Sequence, residues 1–463
     1  MANIIVGCAK YMMIILIAIY TYQCFSVFSY EDERIKRRIF RNQNMVMFLI
    51  HFMAYSGMYF KIGENKILFF YLAQAMMLWG ILWVYRKLYP KVSRLIINNM
   101  CMLLTIGFIM ITRLSYHKAV KQCMIVAGSI VVSLVVPRII RKSRGLANLR
   151  ILYAIVGIVA LAAVVIIGQV SGGAKLGFTV AGIGIQPSEF VKIIFVFFVA
   201  ASFYRSTKFS NVVLTTIVAA FHVLILVVSK DLGAALIIFA VYLVMLYVAS
   251  RKPLYALAGL GAGSVAAVIA YHLFSHVRVR VLVWKDPFAV YDNGGYQVAQ
   301  SLFAIGTGSW FGTGLFQGKA DAIPVADEDF IFAAISEEMG LVFALCMILI
   351  CVSCYVMFLN IAMQIHNPFY KLVALGLGTC YMFQSFLNIG GVTKFIPSTG
   401  VTLPLVSYGG SSVLSTLIMF AIIQGLYILK EDEEESFERK KRQTQTENAN
   451  KTKRYENRQS RIR

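Results

Sequence analysis

ILYAIVGIVALAAVVIIG, residues 151–168, runs its whole length without a charged side chain. As α-helix, about 20 such residues cross the roughly 30 Å hydrocarbon core of a bilayer. Lipid offers no partner to backbone N–H and C=O groups, so a spanning segment is a helix or part of a closed barrel. The run is too long and too continuously apolar for a barrel strand, which alternates in polarity. Comparable stretches recur almost end to end, at about 4–26, 43–60, 67–85, 95–112, 120–137, 151–168, 189–204, 211–228, 232–250, 254–274, 329–357, 370–391 and 403–429. The fold read from them is all-α, a polytopic integral membrane protein with thirteen spans. Composition agrees: of 463 residues 59% are hydrophobic and 14% charged, where a soluble domain carries about 25% charged residues.

Charge then orients the spans. The formal net charge is +22, and the basic residues collect in alternate loops. Arg34, Lys36, Arg37, Arg38 and Arg41 occupy the first loop, and Arg86, Lys87, Lys91 and Arg94 the third. Arg138, Arg141, Lys142, Arg144 and Arg150 occupy the fifth; Arg205 with Lys208, and Arg251 with Lys252, fall on the same side. Basic loops stay in the cytoplasm, so the N-terminus is expected outside and the C-terminus inside. The same rule accounts for the basic pI, and no nucleic acid partner is expected. No cleavage site follows the first apolar run, which reads as an uncleaved span. The eight cysteines, including the Cys351-x-x-Cys354 pair, read as small packing residues. The tail after Leu429 has an acidic run, Glu431–Glu435, then basic clusters and few large apolar residues. It cannot bury a core and is expected to be disordered.

Four polar constellations interrupt this background. GGAKLGFTVAGIGIQPSEFVKIIF, residues 172–195, contains a helix start at Gln186-Pro187-Ser188-Glu189, with Glu189 and Lys192 spaced to pair on one face. Capping alone is the competing reading. Ser229-Lys230-Asp231-Leu232-Gly233 separates two apolar runs as a turn, where a charged pair is ordinarily structural. The third is GGYQVAQSLFAIGTGSWFGTGLFQGKADAIPVADEDFIFAAISEEMG, residues 294–340, preceded by Arg278, Arg280 and Trp284. Arginine forks suit phosphate, repeated glycine suits re-entrant backbone lining a cavity, and a carboxylate at a helix start beside such a cavity is a candidate general base. A solvated loop with a charged helix cap is the alternative. The fourth, from Asn388 through Lys394, Pro397-Ser398-Thr399-Gly400 and Leu403 to Ser412, reads as a broken or closely packed helix entry.

The order of these motifs carries a resemblance. QPSE-x-x-K, D-L-G, GYQ-x-x-QS with its glycines, DFIF-x-x-x-x-EE-x-G and TG-V-x-LP-x-x-SYGGSS follow one another. Over residues 95–429 the chain resembles the SEDS glycosyltransferases, the RodA and FtsW family of peptidoglycan polymerases. The resemblance implies a ten-helix core over 95–429, preceded by extra helices over 1–94 and followed by a charged tail over 430–463.

It also implies polymerisation of lipid II on the outer face of the bacterial cytoplasmic membrane, in elongation, division or sporulation. A class B penicillin-binding protein, the transpeptidase, and other members of the cell-wall synthesis complex are the implied partners. A divalent cation, Mg or Mn, is the implied cofactor, although the residues show no ligand cluster. The family's essential aspartate corresponds to Asp329. Substrate contacts are expected from Glu189, Lys192, Asp231, Arg280, Gln297, Gln300, Ser301, Lys394, Ser407 and Tyr408. The chain departs from the family at Val325, where a glutamate is usual, at Leu176-Gly177, and at Ser229-Lys230. The expected reaction is an inverting transfer with Asp329 as base; a lipid II flippase and a scaffold recruiting a transpeptidase are the alternatives.

Overall fold

The structure, a computed structural model, describes residues 2–143, 145–171, 174–180 and 183–459. Arg144 of the fifth loop and four residues of the first polar constellation (172, 173, 181 and 182) lie outside them. Sixteen α-helices are seen among the described residues: α1 (Ala2–Ser26), α2 (Glu33–Ile62), α3 (Asn65–Leu88), α4 (Arg94–Leu114), α5 (Tyr116–Lys142), α6 (Arg150–Ile167), α7 (Pro187–Arg205) and α8 (Phe209–Val228). They continue with α9 (Leu232–Ser250), α10 (Pro253–Leu273), α11 (Ser275–Lys285), α12 (Tyr296–Gly308), α13 (Ile331–Met339), α14 (Leu341–Gln364), α15 (Pro368–Val392) and α16 (Gly410–Gln459). Thirteen of these are long and apolar enough to cross a membrane, all except α11, α12 and α13.

Local chemistry sets many boundaries. Proline stands in the first turn of α7, α10 and α15, where its missing N–H costs nothing. Asp231 accepts a bond from Ala234 N at 3.1 Å and starts α9; Ser115 and Asn367 cap α5 and α15 in the same way. α4 is the hub: nearly all of it is buried, against α2, α3, α5, α13 and α14.

The N-terminal helices are part of this core. Asn99 of α4 accepts from Tyr20 Oη of α1 at 3.1 Å and donates to Ser353 Oγ of α14 at 3.2 Å. Asn98 donates to Gln43 Oε1 of α2 at 3.0 Å. Between α2 and α3, Gln74 Oε1 accepts from Tyr55 Oη at 2.6 Å. Buried amides and hydroxyls in an apolar environment fix helix register because each unpaired group is costly.

Four expectations change. The span expected over 329–357 is two helices, α13 and α14, broken at Gly340, whose φ is +91°. The span expected from 403 begins at Gly410, because Pro404, and Leu405 at φ +65°, cannot continue a helix. The first polar constellation folds partly as a small antiparallel sheet, β1 (Gln169–Ser171), β2 (Ala174–Val180) and β3 (Ile183–Ile185), in the order β1-β2-β3. The tail, expected to be disordered, continues α16 as helix to Gln459. Extending a formed helix avoids the cost of nucleation, and no proline or glycine after Gly425 interrupts it. Asp432 also pairs with Lys91 and Arg141, each at 2.6 Å.

A buried ion pair pins the polar passage to the hub. Arg113 of α4 faces Glu338 of α13 at 2.8 Å, with the Glu338 side chain wholly inaccessible, and Asp321 at 3.1 Å. Removing one partner of such a pair costs about 3–5 kcal/mol because the other charge stays buried. Arg113→Met is therefore expected to lower the thermal unfolding midpoint in detergent, and Arg113→Met with Glu338→Met to recover most of the loss. An unchanged midpoint in the single variant contradicts this.

Candidate active site

The passage between α10 and α14 is a folded lid of short helices. α11 presents Arg280 and Trp284; a turn capped by Asp286, which accepts from Phe288 N at 3.0 Å and Ala289 N at 3.1 Å, leads towards α12. The chain then doubles back on the junction of α13 and α14. Thr313 N and Gly314 N donate to the carbonyls of Glu337 and Glu338, both at 2.8 Å. A Cβ at Gly312 would lie 2.4 Å from Glu338 O, and one at Gly340 2.4 Å from Gly312 N. Only glycine permits that approach. Lys10 Nζ of α1 donates to Gly312 O at 2.9 Å, joining the N-terminal helix to this turn.

Asp329 stands just before α13, and its backbone is laced to the segment after α15. Asn388 Nδ2 donates to Asp329 O at 2.8 Å and to Val401 O at 2.7 Å. Ser407 Oγ donates to Glu328 O at 2.5 Å, and Tyr408 N to Asp327 O at 2.7 Å. Five backbone positions are fixed by these bonds, so the carboxylate has a defined origin.

A cavity of about 150 Å³ opens beside it, with Arg280, Trp284, Gln297, Asp329, Lys394 and Ser398 in its wall. Arg280 Nη1 donates to Thr399 O at 3.0 Å, and Trp284 Nε1 to Lys394 O at 3.2 Å. Lys394 is held at φ +58°, a region that costs a non-glycine residue about 1–3 kcal/mol and is met at functional sites. At Gly400, a Cβ would stand 3.9 Å from both Arg280 Nη2 and Asp329 Oδ2, so cation and carboxylate flank one point.

Burial pushes the Asp329 carboxyl up to about 6. Its own backbone N–H and Arg280 oppose the shift, while Glu328 and Asp327 add to it. Burial likewise weakens the charged form of Arg280, which Asp231 and Asp329 favour. The arrangement offers a proton acceptor that is ionised at neutral pH, facing two cations in a partly dehydrated pocket.

Of the residues expected to touch substrate, Arg280, Gln297 and Lys394 join Asp329 in the cavity wall. Asp231 lies behind Arg280, holding bonds from Ser188 Oγ at 2.8 Å and Gln186 Nε2 at 3.2 Å. Glu189 and Lys192 do pair, at 2.8 Å, but inside the helix core: Lys192 also meets Gln384 at 2.7 Å, and Ser415 donates to Glu189 at 3.0 Å. Gln300 donates to Tyr291 Oη at 2.9 Å, and Ser301 to Val298 O and Val392 O, so these two tie elements together outside the cavity wall. Ser407 braces Glu328, and Tyr408 lies under Lys118, 5.3 Å from its ring centre. Lys118 and Asn388 contribute most that the motifs did not assign. Lys118 follows a helix-cap serine by three residues, and only the tertiary fold brings it to this site.

The donor set does not fit a resident divalent cation. No three His, Cys, Asp or Glu side chains converge among the described residues. Lys118 already occupies Asp327 and Glu328, at 2.6 and 3.6 Å.

Comparison with known proteins agrees with the architecture. Residues 93–431 match the family model for the FtsW, RodA and SpoVE cell cycle proteins. The chain is 34% identical over 364 residues to the peptidoglycan glycosyltransferase RodA of Mycobacterium leprae, covering 73% of this chain and 78% of that one. It is 32% identical over 289 residues to the probable peptidoglycan glycosyltransferase FtsW of Bacillus subtilis, covering 59% and 72%. Among solved structures, Thermus thermophilus rod shape determining protein RodA superposes with a TM-score of 0.55 at 20% identity, covering 73% of this chain and 96% of that one. A chain from a study of the coordination of polymerization and crosslinking by a peptidoglycan synthase complex gives 0.62 at 21%, covering 74% and 98%. With its motifs, helix order and matched length in agreement, the chain belongs to the FtsW/RodA/SpoVE family.

Proposed function

We propose that this chain is a peptidoglycan glycosyltransferase that joins lipid II units into glycan strands with Asp329 as general base. The observation that carries the reading is one carboxylate of raised proton affinity sharing a cavity wall with Arg280 and Lys394. The acceptor sugar's hydroxyl oxygen attacks the anomeric carbon of the donor, and its proton passes to Asp329. The bond to undecaprenyl pyrophosphate breaks, and that group leaves with the electron pair. Direct displacement inverts the anomeric centre. Arg280 and Lys394 receive the charge that develops on the leaving pyrophosphate, which fixed cations in a low-dielectric pocket stabilise strongly.

Several finer points rest on the same reading. The cavity holds the reacting groups rather than a whole substrate, since sites for drug-sized ligands run to about 300–1,000 Å³. A divalent cation would have to arrive with the pyrophosphate, because Mg²⁺ is commonly held by one or two carboxylates and substrate phosphates. The basic loops favour a cytoplasmic C-terminus, an external N-terminus and an outward-facing cavity. A transpeptidase of the penicillin-binding class is the partner the product calls for, since uncrosslinked strands make no wall. Flipping is less well supported: Asp329, Arg280 and Lys394 stand in segments between spans, whereas transporter sites lie near the midplane.

Asp329→Asn is expected to reduce polymerisation of purified lipid II by about 10²–10⁴-fold while the protein still folds and enters the membrane; normal rates would exclude the role. Arg280→Met is expected to lose about 10²–10³-fold in turnover, and full turnover would remove Arg280 from the mechanism. The base works ionised, and its affinity for protons is raised. Turnover should therefore fall as pH drops through about 6, two units above an ordinary aspartate limb, as a pH–rate profile on lipid II will show.

A further inference from the structure

Asp329 is the third of three consecutive carboxylates. Asp327 and Glu328 are absent from the cavity wall and meet Lys118 on α5 instead, at 2.6 Å and 3.6 Å. Lys118 is itself fixed: its ammonium lies over the Tyr408 ring, and the residues it holds are bonded through their carbonyls to Tyr408 N and Ser407 Oγ. Two negative charges one and two residues from a base oppose its ionisation. A single cation set against both cancels much of that field without touching the substrate cavity.

We propose that Lys118 is a positioning residue that keeps Asp329 ionised at neutral pH by neutralising Asp327 and Glu328. The inference rests on Asp329 being the base. Arg280 and Lys394 share the cavity wall with Asp329; Asp231 at the start of α9 and His276, one turn earlier on α11, face Arg280, Lys230 faces His276, and Tyr408 before α16 faces Lys118. Arg280 and Lys394 act from the cavity side and are spent on the substrate's phosphates when it is bound. Lys118 meets Asp327 and Glu328 outside the cavity wall, so its effect does not depend on what occupies the cavity. Tyr408 supplies the ring that holds the ammonium in place. The further signature is directional. Loss of Lys118 leaves two uncompensated carboxylates, and loss of the carboxylates leaves an uncompensated ammonium, so the two changes push the base in opposite senses.

The test is the acidic limb of the pH–rate profile for lipid II polymerisation by the full chain in detergent. Lys118→Met is expected to move the limb upward by about one pH unit, a roughly tenfold loss on its acidic side that fades at alkaline pH. Asp327→Asn with Glu328→Gln is expected to move it downward, and Lys118→Arg to restore the native position. Damage to packing would lower rates at every pH and move no limb, so coincident limbs in both variants overturn the proposal. Should Lys118→Met fail to fold, the downward shift in the carboxamide variant decides alone. A wild-type profile with no limb near 6, or an active Asp329→Asn protein, would instead overturn the assignment of the base.

Discussion

The cost of holding charge in a medium of low dielectric constant organises this molecule. Taking an unpaired ion out of water costs several kcal/mol even after relaxation, and three ion pairs place a counter-ion against a buried charge. Arg113 has Glu338, Lys192 has Glu189, and Lys118 has Asp327. Asp329 departs from that pattern. Its neighbours are bonds to its backbone and a guanidinium engaged with Thr399 O, and no cation lies within ion-pairing distance among the described residues. A carboxylate left short of compensation attracts a proton more readily, which is the property a base needs. The paired charges build the frame; the underpaired one is the proposed base.

The frame holds the backbone that carries this carboxylate. Asn388 bridges Asp329 to Val401, and Ser407 bridges Glu328 to Leu403. The turn at Gly312 locks the start of α14. The N-terminal helices reach into the same arrangement, through the Asn98 and Asn99 bonds in the membrane and through Lys10 at the lid. Residues 1–92 precede the matched family segment, yet they share a core with it. Their bonds tie them to that segment.

Much of the fold was legible in the sequence because membrane spans obey one rule. Uninterrupted apolar length gave thirteen crossings, and the proline and glutamate of residues 186–189 gave the start of α7. What misled was apolar character without a spanning helix: Leu403–Val406 is buried and hydrophobic but irregular, and Ile331–Met339 is a short helix that does not span. The tail's charges suggested disorder, yet its acidic run finds Lys91 and Arg141 only in three dimensions. At the site, the motifs brought forward Asp329, Arg280, Gln297 and Lys394, which converge on one cavity. Gln300, Ser301 and Ser407 sit within the same motifs but lie outside the cavity wall and bond to other parts of the fold, because a motif records proximity along the chain and not the direction of a side chain. Lys118 lies some 210 residues from its partners, and no local signal marks it.

Asp329 is a carboxylate whose proton affinity its surroundings raise. Its own titration tests that most directly. Infrared difference spectroscopy on protein labelled with ¹³C-aspartate, with Asp329→Asn as the reference, resolves the carboxyl and carboxylate bands of this one side chain. A titration midpoint near 6 is expected; a midpoint near 4, that of an ordinary solvated aspartate, would show that the surroundings do not tune it.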